Sequence, residues 1–240
     1  RVERDSARRH LWVASSLGIL AASARLHLSR AGISSPFSST TLPTLLPWGW
    51  QFLGDLTGYA SWALLGLALS ARSGLVGVLL SKGGNLAEWR QVFKYGLSLG
   101  IPLAALSWLG HRLGIEIAPW PKATLSHRDA MLVAAQAALH GEIIARLGLL
   151  SLSIWLLGVL FRHRDPLAGS EPARGLQAVR VDWPSVLGIA LSTLLWRVVY
   201  PTESPWLATL LGLTLGYAFV QAGWEATFLA HFIFAVVAVF

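Results

Sequence analysis

Cysteine is missing from this chain and charge is scarce, and each absence removes a class of protein. With no thiol there is neither a disulfide nor a thiolate metal site. Only 13% of the 240 residues are charged, well short of the soluble average of about 25%. No Gly-x-Ser-x-Gly elbow occurs, and no Ser and His are spaced as a nucleophile with its base. Gly83-Gly84 is not followed by the Gly-Lys-Ser/Thr ending of a phosphate cradle, so nucleotide binding has no support. No internal repeat or heptad pattern stands out.

What the chain has instead is oil-like sequence: 54% hydrophobic residues and a mean hydropathy of +0.56. Apolar runs fall at Leu11 to Ala24, Leu56 to Leu80, Tyr95 to Leu109, Ala130 to Phe161, Pro184 to Tyr200, Trp206 to Val220 and Trp224 to Phe240. Backbone exposed to lipid must satisfy its own hydrogen bonds, so each run is expected to be helical. The expected fold is an all-α polytopic transmembrane bundle of about six to eight membrane helices, built as a single membrane domain over 1–240. The fourth run exceeds one perpendicular span of about 20 residues, so it is expected to tilt, protrude or break near Gly141 or Gly148. Gly32 to Trp50, rich in Ser, Pro and Trp, reads as an interfacial loop with short helical or re-entrant pieces, and Trp48 and Trp50 suit a headgroup belt. The short turn Pro201 to Pro205 holds one charge, Glu203, and makes the runs on either side of it a tight helical pair.

The net charge of +7 would suggest nucleic acid in a soluble protein, but here the basic residues cluster between apolar runs. Membrane lipids, together with other membrane proteins, are the expected partners, and nucleic acid is not. With the N-terminus cytoplasmic, inside segments would carry Arg1, Arg4, Arg8, Arg9, Lys82, Arg90, Lys94, Arg162, Arg164, Arg174 and Arg180, and outside ones only Arg25, Arg30, Arg112, Lys122 and Arg128. The positive-inside rule favours that orientation.

Glu142 and Arg146 are the only charges between Ala130 and Phe161. At positions i and i+4 they share one helix face. In hydrocarbon each costs several kcal/mol unless it is paired or turned into a protein interior. The pair therefore marks an internal site or a structural clamp between helices.

The segment His140-Gly141-Glu142-Ile143-Ile144-Ala145-Arg146-Leu147 resembles the Glu-Glu-x-x-x-Arg motif of the CPBP family. That family comprises the type II CAAX prenyl endopeptidases and related bacteriocin-processing and self-immunity membrane proteins. The tail Gly216 to Phe232, with Gly223-Trp224-Glu225-Ala226 leading into Ala230-His231-Phe232, is similar to the family's last motif. The resemblance covers about 130–240 as a CPBP-like core, with 1–129 supplying preceding membrane helices and the interfacial loop. It implies an intramembrane metalloprotease fold in which a first Glu, a His from Phe-x-x-x-His, and a His with Asn or Asp four residues on converge inside the bundle.

The departures matter more than the matches. Spacing to Arg146 places Glu142 on the second Glu of the motif, so the first, the water-activating base, is replaced by Gly141. The helix Leu191 to Pro201 carries Trp196 for Phe and Tyr200 for His. His231 is retained, but the Asn or Asp position falls on Ala235. A catalytic zinc takes about three protein ligands and an open position for water. Glu142 and His231 supply two, and His140, two residues before Glu142 on a helix, faces roughly away from it. Three readings follow: a non-catalytic scaffold or interaction subunit; an active intramembrane metalloprotease using Glu142, His231 and His140 with zinc on prenylated or membrane-anchored peptides; and a pigment- or cofactor-associated subunit with His231 as ligand.

The remaining polar residues have plainer readings. Arg197 snorkels or pairs with Glu203 or Glu225, Arg72 is buried or marks a break between two short helices, and Glu225 favours the N-terminus of the last helix. The 12 Trp residues are mostly belt and packing.

Overall fold

The computed structural model describes residues 2–33, 47–73, 75, 86–114, 125–162, 183–199 and 205–239. It is an all-α bundle: α1 (Val2–Arg30), α2 (Trp48–Arg72), α3 (Leu86–Arg112), α4 (His127–Gly141), a π-helix (Glu142–Leu150), α5 (Ser151–Arg162), α6 (Trp183–Val199), α7 (Pro205–Ala222) and α8 (Trp224–Val239). Among the described residues, five segments are long and apolar enough to cross a membrane: Arg8–Arg30, Trp48–Arg72, Leu86–Arg112, His127–Phe161 and Pro205–Ala222. The described residues also include two shorter apolar helices, Trp183–Val198 and Trp224–Val239. The chain is an integral membrane protein.

Aromatic placement fits that setting. Trp48 and Trp50 in the first turn of α2, Trp108 near the end of α3, Trp183 at the start of α6 and Trp206 in the first turn of α7 are all exposed at helix ends, where an indole meets headgroups. The guanidiniums of Arg30 and Arg112 sit over Trp48 and Trp108, 5.8 and 5.2 Å from the ring centroids.

Several boundaries differ from the sequence reading. Trp48 and Trp50 belong to α2 rather than to a loop, because the chain turns helical directly after Pro47. α2 ends at Arg72, which is exposed in its last turn rather than buried, and the remainder of the second apolar run, from 76 to 80, lies outside the described residues. Arg25, assigned to a connecting loop, lies inside α1 and binds Asp55 of α2 at 2.8 Å. Arg197 reaches the Thr209 hydroxyl at 3.2 Å, while Glu203 lies outside the described residues.

The fourth run is one continuous rod. Ser126 caps α4 by accepting the backbone N–H of Asp129 at 3.1 Å. From His127 to Phe161 the rod is 35 residues long, roughly 50 Å at helical rise against a hydrocarbon core of about 30 Å. Of the tilt, protrusion or break near Gly141 or Gly148 that its length called for, the helix shows no break: it stays continuous and changes its winding, widening into π turns from Glu142.

Close approaches are made by glycine. Gly96 and Gly100 of α3 meet Leu229 and Ala230 of α8, Gly18 of α1 meets Ala60 of α2, and Gly212 and Gly216 of α7 meet Thr193 and Ile189 of α6. Gly66 of α2 lies against the backbone of Leu147 in the π-helix with no room for a side chain. Gly223, at φ 83°, is the single residue that reverses the chain between α7 and α8. The largest core joins Leu17, Tyr59, Leu67, Ile143, Leu147, Leu150, Phe219 and Trp224, so it is centred on the π-helix.

Candidate functional site

The π-helix, α8 and α4 bring the singled-out polar residues to the middle of the bundle. Glu142 is fully buried, and Arg146 and His231 are each 6% exposed. Glu142 begins the π-helix, where hydrogen bonds run from i to i+5 and residues four apart no longer stack directly. Ser151 marks that winding at its far end, with its backbone N–H bonded to the carbonyl of Arg146.

This winding alters the expected clamp. Arg146 Nε stands 3.8 Å from Glu142 Oε2, an ion pair but not a hydrogen bond. The guanidinium extends instead toward α7, where Nη2 donates to the Leu211 carbonyl at 3.4 Å. The direct partner of Glu142 is His231 of α8, whose Nδ1–H donates to Oε1 at 2.8 Å. Sequence reasoning named both residues but not this bond, which spans 89 positions. The clamp is thus a three-residue centre in which one carboxylate ties the π-helix to α8, and its charge partner reaches α7.

Gly141 explains why the imidazole can lie so close. A Cβ built there would stand 2.7 Å from His231 Cε1 and 3.3 Å from Nδ1. The ring therefore packs on the bare backbone of Gly141. Ala235, one turn further along α8, is fully buried and offers no donor. Tyr200 lies outside the described residues.

His140 does not join Glu142. Its Nδ1 shares a 2.7 Å hydrogen bond with the Tyr59 hydroxyl of α2, and its ring lies 6.0 Å from Trp196 of α6. Glu225 is buried in the first turn of α8, where negative charge is favoured. Sequence reasoning missed Tyr59, although Asp55 one turn before it on α2 places two polar groups on one face of an apolar helix.

A three-ligand metal centre does not fit these residues. Among the described residues no group of three or more His, Asp or Glu side chains is placed to hold an ion. Glu142 Oε1 and His231 Nδ1 are engaged with each other, and His140 Nδ1 with the Tyr59 hydroxyl. Electrostatics favour cohesion: opposite charges 3.8 Å apart attract by roughly 4 kcal/mol at an effective dielectric constant of about 20. Desolvation, several kcal/mol per buried ion, offsets much of that gain, so the centre costs little intact and much when broken.

Compared with protein-family models, with curated proteins and with solved structures, the chain matches none of them.

Proposed function

We propose that the protein is a non-catalytic membrane scaffold of the CPBP type, a subunit that docks other membrane proteins while its former hydrolytic centre serves as an internal clamp. The observation that carries this reading is the position of His231: its ring fills the space beside Gly141 and hydrogen-bonds Glu142. A water-activating carboxylate at 141 has no place to stand, and the remaining Glu spends an oxygen on imidazole.

The test is a cleavage assay on a membrane-anchored peptide with purified protein in lipid. No cleavage is expected from the native chain. Gly141→Glu is expected to stay inactive and to lose about 1–3 kcal/mol of stability, because its Cβ displaces the His231 ring. Cleavage by the native chain that disappears in Glu142→Ala or His231→Ala would overturn the proposal.

A second reading has one observation in its favour. A ligating imidazole commonly donates its other N–H to a carboxylate, which fixes the tautomer and raises the basicity of the free nitrogen. His231 bound through Nδ1 to Glu142 has that form, leaving Nε2 as an axial ligand for a tetrapyrrole. A visible absorption band in protein purified from native membranes, lost in His231→Ala, would favour a pigment-associated subunit. A featureless spectrum leaves the scaffold.

A further inference from the structure

We infer that the α6–α7 face of the bundle thins the bilayer beside it, so that its partner is lipid whose acyl chains are short or disordered. This stands independently of whether the buried centre is catalytic.

Helix length sets a ceiling on the thickness a face can match. A long helix meets a thin bilayer by tilting, but a short one has nothing to extend, so the lipid must come to it. α6 and α7 hold 17 and 18 residues, at most roughly 26 and 27 Å of rise, against a hydrocarbon core of about 30 Å. α3, with 27 residues, has length to spare.

The rims carried by these helices narrow the gap further. On α3 the exposed Phe93, Leu97 and Ile101 lie between two exposed indoles, Trp89 and Trp108, roughly 28 Å apart along the helix. On α6 the exposed Leu187 and Leu194 lie between Trp183 and Arg197, roughly 21 Å apart. On α7 Leu210 and Leu213 lie between Trp206 and Tyr217, roughly 17 Å apart. From Ala218 to Ala222 that helix is buried, and the chain reverses at Gly223, so its lipid face ends at Tyr217.

Two contacts hold this short face in place. Gly212 and Gly216 of α7 seat Thr193 and Ile189 of α6, which packs the helices as one unit and keeps either from sliding along the other. Arg197 Nη1 donates to the Thr209 hydroxyl at 3.2 Å, and that hydroxyl donates to the Pro205 carbonyl at 2.8 Å. The guanidinium therefore reaches sideways to α7 and not along the helix toward a distant surface. A cation fixed at that level is tolerated where headgroup phosphate or water comes down to meet it.

The chain has no cysteine, so one introduced cysteine carries a unique nitroxide. Ala190→Cys on α6 and Leu97→Cys on α3 replace exposed residues near the middle of their respective rims. Power-saturation EPR with oxygen and a nickel chelate, in dioleoylphosphatidylcholine bilayers, gives the depth of each label below the phosphates. The α6 label is expected to lie about 3–4 Å shallower than the α3 label, half the difference between the two rim spacings. Both labels are expected to be open to oxygen, as lipid contact requires. Cryo-electron microscopy of the native chain in nanodiscs of the same lipid needs no substitution. It is expected to show the two phosphate layers about 7 Å closer together beside α6 than beside α3. Equal label depths, or phosphate layers evenly spaced around the protein, would overturn the inference. So would an α6 label shielded from oxygen, because another protein chain and not lipid would then cover the face.

Discussion

Glu142→Ala is expected to destabilise the protein by about 3–5 kcal/mol, the largest effect of any single polar substitution in the bundle. The loss has two sources. Arg146, only 6% exposed, is left as a buried charge whose nearest counter-ion has gone. His231 loses the acceptor of its 2.8 Å bond, so an imidazole N–H is stranded at the junction of the π-helix and α8. The comparison that isolates the charge is Glu142→Gln with Arg146→Met. This pair keeps an acceptor for His231 and removes both charges together, and it is expected to fall within about 1–2 kcal/mol of the native protein, because a buried ion pair replaced as a unit is often near neutral. Reversible unfolding in mixed detergent micelles measures both. A double variant as unstable as Glu142→Ala would show that the ion pair itself, and not the stranded charge, carries the stability.

Gly66→Ala is expected to cost about 3 kcal/mol, at the upper end of ordinary overpacking. Its added methyl meets the carbonyl and Cα of Leu147, main-chain atoms that cannot rotate away. Relief requires α2 to move off the π-helix, and that movement opens the core around Leu67, Leu147 and Leu150. By contrast Gly58→Ala, on the same helix, has open space before it and is expected to change stability by less than about 0.5 kcal/mol. Equal effects at the two positions would contradict the close crossing of α2 and the π-helix.

Much of this architecture is legible from residue order. The apolar runs mark the helices because hydrocarbon admits no unpaired backbone, and an acid and a base alone in a 32-residue apolar run are conspicuous whatever their partners. The length of that run against membrane thickness calls for a tilt, a protrusion or a break near Gly141 or Gly148, and the helix instead stays continuous and changes to π winding at Glu142. The sign of the irregularity is less accessible. Spacing of four suggests a direct Glu142–Arg146 contact in an α-helix, whereas π winding sets the pair at 3.8 Å and sends the guanidinium to Leu211.

The partners of buried groups are harder to see because they come from distant positions. The Glu142–His231 bond joins residues 89 apart, and the Tyr59–His140 bond joins residues 81 apart. A tyrosine in an apolar span looks like packing until a facing histidine is known. Arg25 resembled a loop charge for the same reason: its partner Asp55 is one helix further on. Glycine roles are similarly hidden, since Gly66 and Gly58 read alike in the sequence and only the crossing of two helices separates them.

Zinc analysis of the purified protein, prepared without chelator and equilibrated with the metal, tests most directly whether the buried centre is a clamp or a working hydrolytic site. The donor set of Glu142 and His231, bonded to each other, is expected to retain far less than one equivalent. About one tightly held zinc per chain, lost in both Glu142→Ala and His231→Ala, would contradict the clamp and restore the metalloprotease.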